Sequence, residues 1–343
     1  MQTTYRFSFG PWNIHPGEDS FGPAVRQEFS FAEKLEFFRQ LGFEGVQFHD
    51  DDAVSNADDP WGKQEAEAKQ MRRLLDERGL VAEFIAPRLW EHPLTVDGAI
   101  TSNSAEARQY ALDRSKRAIE IARILGTRNI VLWPAREGTY VRESKDPVAA
   151  VGRLVEWMNE MLAFDPQIRI LGEMKPNEPM DHAYLPTTGH FLGLASLTDD
   201  PPRVGTLIES AHTILAGLDP SDEIAYALYH QKLWSVHLND QNGLKFDEDK
   251  SFGVVDLRRA FNQVWVLERN GYGQHGEFIG LDVKALRTQT RENSTKHLRN
   301  SRAIFLRLVE LVRSLDVTRV EELRAARDYE ELDLLIINHL LGG

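Results

Sequence analysis

The chain contains no cysteine among its 343 residues, which excludes disulfides, thiolate metal sites and a cysteine nucleophile. No apolar run approaches the roughly 18 residues that a membrane span requires, and the stretch from Met1 to Phe9 lacks a basic segment followed by an apolar signal core. Positive charge is scarce. The 40 Lys and Arg face 53 Asp and Glu, a formal net charge of −13, so no cationic surplus exists to neutralise nucleic-acid phosphates. The expectation is a cytoplasmic enzyme with neither nucleic acid nor a membrane as partner. The chain is long enough for one large domain with a full core, or for two ordinary ones.

What the chain does have is alternation. Strand-like runs are predicted at Tyr5 to Phe9, Gly45 to Phe48, Val81 to Ile85, Asn129 to Trp133, Ile168 to Leu171, Val204 to Ile208, Leu233 to Val236 and Phe278 to Leu281. Helical periodicity falls between them, at Phe31 to Leu41, Gln64 to Arg78, Ala105 to Leu125, Val148 to Leu162, Asp256 to Glu268 and Ser294 to Leu315. Strands spaced by helices imply parallel pairing through crossovers. Eight such units predict a (β/α)₈ TIM barrel over residues 1–316, with a short helical C-terminal arm over 317–343. A doubly wound open sheet is the rival fold, but it would gather its chemistry in one crevice.

Hard-metal ligands cluster where four consecutive strands run out. Glu173 follows the fifth, Glu209 and His212 the sixth, His237 with Asp247 and Asp249 the seventh, and Asp282 the eighth. Carboxylates with a minority of imidazoles suit Mg²⁺ or Mn²⁺ better than a structural Zn²⁺. The C-terminal strand ends are where barrels of this class carry their active sites. Together these acids and histidines predict a catalytic metal site.

Several segments resemble the xylose isomerase family. Lys232-Leu233-Trp234-Ser235-Val236-His237-Leu238-Asn239-Asp240-Gln241-Asn242-Gly243-Leu244-Lys245-Phe246-Asp247-Glu248-Asp249 is similar to that family's matching stretch. Phe48-His49-Asp50-Asp51-Asp52 resembles its catalytic His-Asp segment, and Trp133-Pro134-Ala135-Arg136-Glu137-Gly138 resembles its Trp-Gly-Gly-Arg-Glu-Gly turn. Glu173-Met174-Lys175-Pro176-Asn177-Glu178-Pro179 is similar to Glu-Pro-Lys-Pro-Asn-Glu-Pro. The likeness runs from Phe7 to about Asp316, in order and with similar spacing.

The resemblance implies an aldose–ketose isomerase with two divalent cations, Mg²⁺ or Mn²⁺ with Co²⁺ as an option, acting on a small sugar by hydride shift. One cation would lie among Glu173, Glu209, His237 and Asp282, the other among Glu209, His212, Asp247 and Asp249. Lys175 would donate to the sugar's carbonyl oxygen, and His49, oriented by Asp52, would help open the ring. Trp12 and Trp133 would shield the site, with Trp90 as a further pocket aromatic. Phe21 matches an aromatic that the family inserts into a neighbouring subunit's pocket, which implies a homodimer or homotetramer.

Departures from the family pattern are specific. His237 stands where the family has Asp, which shifts preference toward Mn²⁺, Co²⁺ or Zn²⁺ and removes one negative charge. Trp90 replaces Phe, Ala86 and Arg88 replace Thr and Asn, Pro134-Ala135 replaces Gly-Gly, and the C-terminal arm is short. A Glu, acid, His, acid quartet also resembles the single-metal site of the wider sugar isomerase and epimerase superfamily. Two alternatives therefore stand beside the isomerase: a proton-transferring epimerase or lyase-type enzyme, and a catalytically silent sugar-binding barrel.

Overall fold

Eight parallel strands close on themselves in chain order: β1 (Arg6–Phe9), β2 (Gly45–His49), β3 (Val81–Ala86), β4 (Asn129–Leu132), β5 (Arg169–Glu173), β6 (Val204–Glu209), β7 (Leu233–Leu238) and β8 (Phe278–Leu281). The predicted TIM barrel is the fold. The last strand pairs back onto the first, with Phe9 opposite Leu281. The structure is a computed structural model that describes residues 4–244 and 246–342; Lys245, in the acidic segment after β7, lies outside them. Among the described residues no helix is long and apolar enough to cross a membrane.

The strands are near-continuous apolar runs because both faces are covered, as parallel sheets require. Their outward residues pack beneath the helices, with Phe7, Phe9, Phe48, Ile130, Ile170 and Val236 buried against helical partners such as Leu35, Phe38, Leu154 and Phe305. Phe84, Ala86, Val131, Leu171 and Leu207 form a separate small cluster. Beneath it lie polar side chains. The buried Glu83 carboxylate accepts from Ser235 Oγ at 2.6 Å and from Gln47 Nε2 at 3.1 Å, and Gln47 also reaches Ser8.

The sequence-based boundaries shift at functional places. Strands β5, β6 and β7 run on to Glu173, Glu209 and Leu238. Their ladders continue through the acidic positions, with Glu173 opposite Leu207 and Glu209 opposite His237. Three of the candidate ligands are therefore strand residues held by backbone pairing. The third helix begins at Trp61 behind Pro60, one turn earlier than its periodicity suggests, since Pro presets the entry to a first turn. Helices at Thr188–Ala195, Ser210–Leu215 and Pro220–Tyr229 complete the alternation after β5 and β6.

Two helices, Val317–Ala326 and Tyr329–Leu341, follow the barrel's last helix. They fold back onto their own chain. Val320, Leu323 and Ile336 are buried, Arg258 pairs with Asp333 at 2.5 Å, and His339 Nε2 lies 2.7 Å from the Leu311 carbonyl.

Candidate metal and substrate site

A cavity of about 870 Å³ opens at the C-terminal ends of the strands, and it divides by strand. Glu173 on β5, Glu209 on β6, His237 on β7 and Asp282 after β8 bring four donor atoms within 4.8 Å of one another. His237 Nδ1 lies 3.4 Å from Glu173, 3.7 Å from Glu209 and 3.7 Å from Asp282. It is buried and makes no hydrogen bond among the described residues, a costly state for a ring nitrogen unless something else takes its lone pair. A second group meets the first at Glu209. His212 Nε2 lies 3.4 Å from Glu209 Oε1 and 3.0 Å from Asp247 Oδ2. Asp247 Oδ1 is likewise buried without a hydrogen-bond partner among the described residues.

The electrostatics describe a place short of positive charge. Burial and the neighbouring Asp247 push the Glu209 carboxyl well above the usual range. The same two causes push Asp249 up to about 7. Burial works against the His237 imidazolium, but the neighbouring carboxylates, Glu173 foremost, outweigh it and raise that group well above an ordinary histidine. A divalent cation would relieve this crowding, and the buried, unbonded nitrogen and oxygen atoms are donors it could take. The residues present fit such an ion at the first group, and Glu209, His212 and Asp247 fit one at the second.

Asp249 is engaged differently. Its carboxylate is ion-paired with Lys284 and accepts from Asn239 Nδ2 at 3.1 Å. Asn239 also donates to Glu209 at 2.8 Å and accepts from the Ala211 N–H at 2.7 Å, so one amide ties β6 to the acidic loop. Lys284 escaped the sequence reading. Its signal was its position two residues after Asp282, which returns its side chain to the same side of an extended segment.

Lys175, just beyond β5, is buried, with Nζ 2.9 Å from Glu178 and 3.0 Å from Asp247. Burial opposes its charge, but Asp247 and Glu178 outweigh that and hold the ammonium protonated. Its nitrogen lies 5.3 Å from the centre of the Trp133 ring. An ammonium has three donors, so two carboxylates leave one for the cavity.

The opposite wall comes from the first four strands. Gly10 after β1 leads into Trp12, and a Cβ at position 10 would lie 2.2 Å from the indole. Trp12 Nε1 donates to Asp282 at 2.8 Å, and its ring lies 4.4 Å from that of His49 at the end of β2. Trp90 lies 5.3 Å from His49 and 4.4 Å from Trp133, edge to face. The Trp133-to-Gly138 turn builds this wall: Arg136 Nε donates to the Trp90 carbonyl at 2.7 Å, and Glu137 accepts the backbone N–H groups of Ala99, Ile100 and Thr101. Asp52 lies 3.1 Å from His49 Nδ1, as the sequence suggests. Arg88, with no role assigned from sequence, reaches the same nitrogen at 2.7 Å. A third acidic group, His49, Asp51 and Asp52, encloses this guanidinium: Arg88 Nε lies 2.8 Å from Asp51.

The sequence-predicted ligands and the Trp12, Trp90 and Trp133 wall thus meet around one cavity. Phe21 does not. It is 85% exposed and is not among the residues that line the cavity.

Comparison with known proteins agrees with this architecture. The chain matches the family described as a xylose isomerase-like TIM barrel over residues 35–300. Among solved structures it is similar to a xylose isomerase domain protein from Alicyclobacillus acidocaldarius subsp. acidocaldarius, at 17% identity and TM-score 0.61, covering 91% of this chain and 100% of that one. A D-tagatose 3-epimerase-like protein superimposes at 15% identity and TM-score 0.65, covering 90% and 98%. A 3-keto-D-glucoside 4-epimerase from E. coli does so at 16% and 0.62, covering 88% and 99%. At these identities the likeness concerns the fold.

Proposed function

The chain belongs to the xylose isomerase-like TIM-barrel family, and from that premise we propose that it is a divalent-metal-dependent sugar isomerase, interconverting an aldose and its ketose by an intramolecular 1,2-hydride shift. The observation that carries this reading is the double use of Glu209. One oxygen faces His237 in the first ligand group and the other faces His212 in the second. Mg²⁺ or Mn²⁺ ions held at these groups would polarise the sugar's carbonyl and orient its neighbouring hydroxyls. Lys175 directs its remaining N–H at the carbonyl oxygen. Trp12, Trp90 and Trp133 exclude water from the carbon chain, which favours a shift within the substrate over exchange with solvent. Phe21, exposed at the mouth, seats in a second copy of the chain, in a homodimer or homotetramer.

A second reading has its own observation. Lys284 occupies Asp249, which leaves Glu173, Glu209, His237 and Asp282 as the complete quartet for a single ion. In that reading the protein is a proton-transferring sugar epimerase, with Glu173 or Asp282 as the base. Turnover in deuterated water over a panel of aldoses and ketoses, followed by mass spectrometry of the product, separates the two. The isomerase gives negligible carbon-bound deuterium. Near-stoichiometric incorporation overturns the hydride route, and a product that is the substrate's epimer then supports the second reading.

A further inference from the structure

We propose that Arg88 sets the tautomer of His49, holding the imidazole with its proton on Nε2, so that it meets the substrate as a hydrogen-bond donor and not as a base. Arg88 is here a positioning residue that acts through His49.

Two groups compete for one nitrogen. Arg88 Nη2 lies 2.7 Å from His49 Nδ1, and Asp52 Oδ2 lies 3.1 Å from it. A guanidinium has donors only, so its bond requires a lone pair on Nδ1. The carboxylate accepts only, so its bond requires a proton there. Nδ1 in the ring plane cannot satisfy both.

The surroundings favour Arg88. Asp52 has an independent reason for its position, because the same Oδ2 accepts the His49 backbone N–H at 2.9 Å. Arg88 is aimed from three sides: its backbone N–H donates to Asp50 at 3.1 Å, its Nε to Asp51 at 2.8 Å, and its Nη1 to Glu91 at 3.0 Å. Asp50 is itself fixed by a two-point pair with Arg114, at 2.7 and 2.8 Å. The branch left over is Nη2, and it points at His49. The rings of Trp12 and Trp90 also pack on the imidazole and bring no charge to it. A proton on Nδ1 would face a guanidinium N–H head-on.

The proton therefore sits on Nε2, which makes no hydrogen bond among the described residues, in a ring that lines the cavity. An Nε2–H donates to a sugar's ring oxygen or carbonyl oxygen but cannot take the proton of a hydroxyl. This consequence for the substrate rests on the sugar-isomerase reading. The tautomer does not, and the experiment needs no substrate.

Magnesium-loaded protein labelled with ¹⁵N-histidine, observed at neutral pH by long-range ¹H–¹⁵N correlation, reports the two ring nitrogens of His49. The signals are assigned by their loss in His49→Gln. The expected wild-type spectrum has a protonated, pyrrole-type Nε2 and an unprotonated, pyridine-type Nδ1. In Arg88→Met the two types exchange, because Asp52 is then the only partner of Nδ1. A wild-type Nδ1 that carries a proton overturns the proposal, as does an Arg88→Met spectrum identical to wild type. If Arg88→Met does not fold, the wild-type spectrum decides alone. Failure of the isomerase reading would appear instead in the turnover experiment, with this spectrum unchanged.

Discussion

Trp12 and Asp282 are joined by a hydrogen bond of 2.8 Å from indole Nε1 to the carboxylate, across 270 residues of sequence. The bond spans the seam where β1 meets β8, so closure of the barrel and orientation of a candidate ligand are one event. Asn13 Nδ2 adds a weaker contact to the same oxygen at 3.2 Å.

Trp12→Phe keeps the ring and removes the donor. We expect metal affinity to fall about tenfold, the lower end for loss of a partner that orients a ligand. Isothermal titration with Mn²⁺ measures it, and an unchanged Kd would show that Asp282 is held without Trp12.

His237→Asp replaces a borderline nitrogen with a hard oxygen among Glu173, Glu209 and Asp282. Activity with Mg²⁺ should rise relative to Mn²⁺ or Co²⁺, because the harder ion gains most from the carboxylate. The readout is the ratio of initial rates across separately loaded metals. A constant ratio removes His237 from the ligand set.

Stability should fall in acid for a reason apart from the candidate metal ligands. Burial lowers His297 to about 4, and burial with the Arg26 charge lowers His15 to about 4. Both brace the loop that carries Trp12: His297 Nε2 donates to the Asn13 carbonyl at 2.9 Å, and His15 Nε2 to the Ala285 carbonyl at 3.1 Å. Above pH about 6.5 the rings are neutral folded or unfolded. As pH falls toward 4, only the unfolded chain takes the protons, and stability is lost, on the order of 3 kcal/mol for the buried His297. Urea denaturation between pH 7 and pH 4 should show this slope, flattened in His297→Gln; an equal slope in both assigns the acid effect elsewhere.

Assembly tests Phe21. Its loop is pinned by Arg287 Nη1, which donates to the Gly17, Gly22 and Pro23 carbonyls at 2.6, 3.0 and 2.7 Å. An apolar side chain on so firm a support suits insertion into a second copy. Phe21→Ser should shift light scattering toward monomer and lower activity together. A wild-type monomer with full activity would end this role.

Much of this was legible before any coordinate. Parallel strands separated by helices dictate a barrel, and barrels place strand-end acids on one rim, so Glu173, Glu209, His237 and Asp282 could be assigned together. The partners of those residues were not. Arg88 and His49 are 39 positions apart, and what joins them is the register of β2 on β3, where His49 lies opposite Ala86. Likewise Lys284 meets Asp249 only because β7 and β8 are neighbours and the loop between them folds inward. The final helices follow the barrel as the short helical arm that the sequence suggests, and the face carrying Ile336 packs back onto the chain's own core.

The division of the rim has a consequence for how such a protein can change. The candidate ion-binding donors come from β5 to β8, while the aromatic wall and His49 come from β1 to β4. Substitutions in the first half of the chain can redraw the shape of the cavity while every candidate donor of the second half stays in place. Retaining the second half and exchanging the first would therefore change what the cavity admits while the candidate donors stay, and Trp12 to Asp282 is the stitch across which the two halves must still agree.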